Sequence, residues 1–197
     1  MKILVQKFGG TSVRTPEARA AAVSKVKKAV ADGFTVAVVV SAMGREGEPY
    51  ATDTLIRTLK ECNPGVAGHE LDLLMCCGEI ISACVFAAEL QKEGFKACAL
   101  TGGQAGIETD GTYGSAHILN VDPRPLMKIM AQGIIPVVCG FQGLSREEHQ
   151  MTTLGRGGSD TSAAALGVGL KASAIEIYTD VDGIMTADPR MVDNARI

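Results

Sequence analysis

The sequence predicts an α/β domain built on a parallel sheet, with helices against both faces. Three observations carry this. Short β-rich apolar runs alternate with longer helical stretches, the order a parallel sheet requires because each crossover needs a connecting helix. The run Phe34-Thr35-Val36-Ala37-Val38-Val39-Val40 is almost wholly apolar and β-branched, which marks a strand covered on both faces. Polar, glycine-bearing motifs follow the runs at one end: Gly9-Gly10, Ser41, Thr101-Gly102-Gly103, Gly140 and Thr179-Asp180. Such folds gather ligands at the carboxyl ends of their strands, so one site ringed by loops from one edge is expected.

In chain order, residues 2–8 read as the first strand. Thr15 then Pro16 reads as a helix start, a hydroxyl cap followed by Pro at the first helical position. That helix runs to about Asp32 and ends at Gly33. After the Phe34–Val40 strand come helices at about 52–61 and 69–93. Phe95–Leu100 is a strand, and 107–121 holds short strands around Asp110-Gly111. Pro123–Gln132 is helical. Ile134–Cys139 is a strand whose Pro136 lacks a donor, which places it near a sheet edge. Ser159–Leu170 is helical and Ala174–Tyr178 is the last strand. Gly167-Val168-Gly169-Leu170-Lys171-Ala172 has the G-x-G-x-x-A spacing, but it closes a helix instead of opening one, so it reads as packing and termination.

Composition excludes several classes. The chain of 197 residues is 46% hydrophobic and 21% charged, a globular balance. Lys+Arg number 19 against 22 Asp+Glu, giving a net charge of −3, so nucleic-acid binding has no electrostatic support. With no Trp and 4% aromatics, a base-stacking surface has none either. The opening residues are too short and polar for an export signal, and no apolar run is read as spanning a membrane. Cys62, Cys76, Cys77, Cys84, Cys98 and Cys139 form no C-x-x-C pair and read as small buried hydrophobes of a reducing cytoplasm. His69, His117 and His149 lack metal-ligand spacing.

The glycines number 23, an excess that suits tight turns and close approach of backbone to a ligand. There is no G-x-x-x-x-G-K-[ST] and no protein-kinase signature. Gly155-Arg156-Gly157-Gly158-Ser159-Asp160-Thr161 feeds a loop into a helix whose first turn offers unpaired N–H donors. Arg156 adds a bidentate fork for a carboxylate or phosphate. Lys7-Phe8-Gly9-Gly10-Thr11-Ser12-Val13 follows the same logic, for a charge at the end of an apolar strand is costly without a partner. Glu79 sits inside an apolar helix, either on a solvated stripe or reaching into a site. Residues 178–190 hold three acids, a turn glycine and Asp188-Pro189 after the last strand; this is either a solvated turn or a place for Mg²⁺ and ribose hydroxyls.

Together, Lys7–Val13, Ser41–Gly44, Cys77–Glu79, Thr101–Gly106, Gly140–Gly143, Thr153–Asp160 and Tyr178–Arg190 resemble, in order, the catalytic domain of the aspartate kinases in the amino acid kinase family. The resemblance covers essentially the whole chain. It implies a three-layer α/β/α sandwich with a mainly parallel central sheet. It also implies transfer of a phosphoryl group from ATP, with Mg²⁺, to the β-carboxylate of L-aspartate. That nucleophile is already ionised at pH 7, so the work is positioning and charge neutralisation. By resemblance, Lys7 holds the transferring phosphoryl with the Gly9 and Gly10 amides, and Asp160 orients Lys7. Arg156 clamps the α-carboxylate, Glu79 accepts from the α-ammonium, and Ser41 and Thr52 position the substrate. Thr179, Asp180, Met185, Asp188, Pro189 and Arg190 hold the nucleotide, with Met185 where relatives often carry Tyr.

The stretch Arg45–Ala51 before Thr52 is longer than in many relatives and resembles the diaminopimelate-pathway type of Gram-positive bacteria. The chain stops at Ile197, where the family's catalytic domain usually continues with another nucleotide-contacting Lys and then ACT domains. The expectation is therefore one catalytic domain over residues 1–197, truncated, without a regulatory ACT domain. The resemblance further implies a cytoplasmic protein, homodimers, no nucleic acid and no membrane. Two alternatives stay open: an acetylglutamate, glutamate or uridylate kinase of the same family, and a nucleotide-binding fragment without turnover.

Overall fold

The computed structural model describes residues 2–45 and 47–179. The expected nucleotide residues Asp180, Met185, Asp188, Pro189 and Arg190 lie outside them. The described chain runs β1 (Ile3–Phe8), α1 (Gly10–Val13), α2 (Pro16–Ala31), β2 (Thr35–Val40), α3 (Thr52–Cys62), α4 (Gly68–Lys92), β3 (Ala97–Leu100), β4 (Ile107–Thr109), β5 (Ile118–Val121), α5 (Arg124–Met130), β6 (Ile135–Cys139), β7 (Gln142–Ser145), β8 (Met151–Thr153), α6 (Gly158–Gly169) and β9 (Ala174–Tyr178). The start of α2 follows its sequence signal: Thr15 Oγ1 accepts from the Ala18 amide at 3.2 Å, with Pro16 at the first position. Gly33 closes it with φ 85°, a conformation glycine reaches at no steric cost.

The central sheet has the order β3-β6-β2-β1-β9, and every pairing in it is parallel. Because successive side chains point to opposite faces, β1 and β2 divide their apolar residues between two cores. Leu4, Phe8, Val36, Val38 and Val40 pack with Val23 and Val26 of α2 and Phe86 and Leu90 of α4. Ile3, Val5, Ala37 and Val39 pack with Leu126 and Met130 of α5 and Ala163 and Leu166 of α6. These are the three expected layers. The alternation also decides where Lys7 goes: it shares a parity with Ile3 and Val5, so it faces α6.

Four expectations need correcting. The β6 strand is not at the sheet edge, since it lies between β3 and β2. Pro136 is tolerated there because pairing with β2 begins only at Val137, so its missing N–H falls before that ladder starts. A second sheet, β5-β4-β7-β8, contains β7 and β8, which carry no strand signal in the sequence. Each is short, three or four residues, polar and without alternation. The cysteines are not uniformly buried: Cys76 and Cys139 are, while Cys62 and Cys84 are exposed on outward faces of α3 and α4. Finally, α4 is, by length and composition, apolar enough to cross a bilayer. Half of that apolar window is buried inside the domain, and Asp72 and Glu79 lie in it fully or nearly so, which is the behaviour of a core helix.

The Thr101 turn shows how closely this core is assembled. A Cβ on Gly102 would overlap the Gln142 carbonyl, whereas a Cβ on Gly65 would meet only the Asn63 side chain at 3.6 Å. Gly102→Ala should therefore cost about 1–3 kcal/mol, the range for overpacking, a fall in Tm of several degrees for a chain of this size. Gly65→Ala should leave Tm nearly unchanged; scanning calorimetry on the pair checks both.

Candidate active site

A hollow of about 310 Å³ opens at the carboxyl ends of the central strands, lined by Lys7, Gly10, Ser41, Ala42, Gly44, Thr52, Glu79, Phe141 and residues 155–160. Lys7 enters it from the end of β1. Its side chain is only 8% exposed, and its Nζ lies 2.7 Å from Asp160 Oδ1. Asp160 sits in the first turn of α6, where the helix dipole also favours an acid. Its carboxylate is half exposed, so the pair joins a buried cation to a partly hydrated anion and leaves the ammonium with donors to spare.

The loop before α6 brings Arg156 to the rim. Gly157 caps the helix with φ 77°. Gly158 is buried so tightly that a Cβ would come within 2.9 Å of both Leu154 and Phe141. Behind them, Gly140 lets the chain pass Ser159, where a Cβ would approach at 2.8 Å. The exposed Arg156 guanidinium forms no ion pair with any described residue and faces the same hollow as Lys7. Two cations and the N-terminal end of α6 thus share one space, as anion binding needs, although the Gly158 and Asp160 amides already donate to the Gly155 and Gly157 carbonyls at 3.0 Å.

Opposite them, Glu79 reaches in from α4. It is 3% exposed, its Oε1 accepts from the Ala42 amide at 3.0 Å, and its Oε2 has no partner among the described residues. Burial pushes its pKa up to about 8, opposed only in part by the Ala42 amide. The approach of α4 depends on Gly78, where a Cβ would stand 2.9 Å from Ala42 and 3.0 Å from the Tyr50 carbonyl. Across the hollow, Gly10 meets the same segment: a Cβ there would come within 2.6 Å of the Ala42 carbonyl.

Lys7, Gly10, Ser41, Thr52, Glu79, Arg156 and Asp160 are therefore brought together. Gly9 is not in the lining, and its amide donates to the Tyr178 carbonyl at 3.0 Å, so it serves the join to β9. Thr179 lies on the other side of β1, beside a cavity of about 260 Å³ with Phe8, Ser12, Lys25 and Tyr178. The Thr101 turn packs under β7 and does not line the hollow. Sequence reasoning gave no role to Phe141, which lines the hollow in the left-handed region, φ 66°. Its place directly after Gly140 in a quoted motif was the available signal. A larger groove, about 410 Å³ between α2 and α4, is lined by Lys27 and Glu93, which pair with each other, and by Glu89, which pairs with Arg19.

The amino acid kinase family description matches residues 2–197. The chain belongs to the amino acid kinase family. It is 51% identical over 196 residues to aspartokinase 1 of Bacillus subtilis, covering all of this chain and 48% of that relative. It spans about half the length of the curated relatives it matches. Among solved structures it resembles aspartate kinase from Synechocystis, with 40% identity and TM-score 0.77 over 98% of this chain and 31% of that one. It also resembles E. coli aspartokinase III in complex with aspartate and ADP, with 27% identity and TM-score 0.80 over 99% of this chain and 53% of that one.

The raised pKa of Glu79 makes stability depend on pH. The folded chain keeps this proton up to about pH 8, while the unfolded chain releases it near the ordinary glutamate value. Stability is therefore full below that ordinary value and falls as pH rises toward about 8. Glu79→Gln should flatten that fall, by on the order of a few kcal/mol between about pH 5 and pH 8, read from urea unfolding across the range.

Proposed function

We propose that this chain carries the site of an aspartate kinase, which transfers the γ-phosphoryl of ATP to the β-carboxylate of L-aspartate. The observation that carries the reading is the shared hollow: Lys7 with Asp160 on one side, Arg156 at the rim and Glu79 opposite. An α-amino acid presents an ammonium and a carboxylate a few ångströms apart, and Glu79 and Arg156 match those charges. Ser41 and Thr52 line the same hollow. The relatives named aspartokinase and the neighbour solved with aspartate and ADP support the same reading.

In the reaction a β-carboxylate oxygen bonds to the γ-phosphorus as the bond to the bridging oxygen breaks, and that electron pair leaves on ADP. No proton has to be removed, and no general base is required. The obstacle is repulsion between two anions. Lys7 neutralises charge on the transferring group, while Asp160 and burial fix the ammonium in place; such preorganised charge is the main catalytic resource for this chemistry. Among the described residues no group of three acidic, His or Cys side chains could hold a metal ion. Supplied with the nucleotide, Mg²⁺ would screen the phosphate oxygens.

Hydroxylamine trapping of the acyl phosphate, with aspartate, ATP and Mg²⁺, tests the reaction; absence of hydroxamate with aspartate, or its appearance with glutamate instead, would refute it. Lys7→Ala should lower kcat by at least ~10²-fold, the scale for one lost electrostatic stabiliser. Arg156→Lys should raise the aspartate KM with little change for ATP, because an ammonium cannot form the bidentate pair. Glu79 must shed its proton to accept an ammonium, so the aspartate KM should fall as pH rises toward about 8. An acylated-amine substrate would show the opposite trend.

A further inference from the structure

Asp72 is fully buried on α4, has no cationic partner among the described residues, and has no part in the mechanism above. Its two carboxyl oxygens accept four hydrogen bonds. The Gly114 amide donates to both, each at 3.0 Å. The Thr153 amide donates at 2.7 Å and the Thr153 hydroxyl at 3.0 Å. A carboxyl group without a counter-ion is expensive in a core, and an apolar residue would fill the same volume. Its acceptor capacity is what distinguishes it, and every donor it collects comes from two points that flank the Arg156 loop, Thr153 before it in the chain and the Gly114 turn packed against it.

Thr153 ends β8, three residues before Arg156. Its carbonyl accepts from the Ala116 amide at 2.8 Å, and the next amide, Leu154, donates to the Phe141 carbonyl at 2.8 Å. Gly155 then passes the Gly114 carbonyl so closely that a Cβ would lie 3.3 Å from it. Asp72 thus ties both walls of the Arg156 loop, the Gly114 turn and the end of β8, to one spot on α4. Seven residues along the same helix is Glu79, about 10 Å of helical rise away. One rigid element therefore carries the anchor of Arg156 and the carboxylate opposite it.

We propose that Asp72 is a positioning residue that holds the Arg156 guanidinium at the separation from Glu79 that an α-amino acid bridges. The proposal rests on the reading of Arg156 and Glu79 as a clamp for aspartate, and the test separates the two. In Asp72→Asn one oxygen is replaced by an NH₂ that faces N–H donors, so the loop loses acceptors and meets a repulsive contact. Hydrogen exchange should quicken at least tenfold at residues 154–158 and remain unchanged in β1 and β2. Calorimetric titration should show aspartate affinity lower by about tenfold or more, the worth of one lost bond to a charged group, with MgADP affinity within about twofold. Should Asp72→Asn fail to fold, Thr153→Val, which removes one donor and keeps the amide, should move the same two readouts severalfold in the same direction. Unchanged exchange at 154–158, or equal losses for aspartate and MgADP, would overturn the proposal. A wild-type chain that binds MgADP and not aspartate would overturn the clamp, and the exchange arm would still decide what Asp72 positions.

Discussion

The contact between Lys7 and Asp160 fixes the geometry on which everything else at the site depends. Lysine is a poor residue to end a strand whose neighbours all face cores, because its ammonium must either stay hydrated or find an anion. The parity of β1 turns it toward α6, and the first turn of α6 supplies the anion at 2.7 Å. Asp160 remains half exposed, so the pair avoids the full desolvation of two buried ions. Its consequence is orientation. The strand end, the helix start and the Gly157–Gly158 turn are held in one arrangement, and Arg156 rides on that turn.

The second organising element is α4. It is apolar nearly all round, yet it buries two acids, Asp72 and Glu79, and each meets a different demand. Asp72 accepts four bonds from protein donors and is satisfied within the fold. Glu79 accepts one, and burial holds its proton up to about pH 8. The same helix, with the same residue chemistry, thus yields one satisfied acid and one that keeps an open acceptor and a raised pKa. What separates them is the number of donors that the neighbouring loops bring.

Much of the frame was legible in the sequence because its signals are local or repeated. Phe34–Val40 could only be a strand covered on both faces, Thr15-Pro16 could only open a helix, and the glycine-bearing strand ends pointed to one edge. The resemblance then named Lys7, Glu79, Arg156 and Asp160, which the fold gathers. What escaped was what depends on partners distant in the chain. The β7 and β8 strands are too short and polar to show a period, and they exist because α4 and β4 offer them bonds. Gly9 reads like a phosphate-facing glycine until Tyr178, 169 residues on, takes its amide. Pro136 reads as an edge residue unless the start of the β2 ladder is known. Asp72 looks like any acid in a helix until Thr153 and Gly114 arrive.

Charge balance around the hollow connects these pieces. With Glu79 protonated near neutral pH, Lys7 and Arg156 outweigh Asp160, and the dipole at the start of α6 adds to the same sign. The hollow is net cationic, which would suit the polyphosphate and dicarboxylate of the proposed reaction. On the proposed reading only the amino group of the acceptor needs a negative partner, and Glu79 would become one by giving up its proton. A carboxylate ionised from the start would weaken the field available to the phosphates before any amino acid was present. Burying Glu79 against the Ala42 amide, behind a glycine at 78 that lets the helix close in, would on that reading keep the negative charge in reserve for an ammonium.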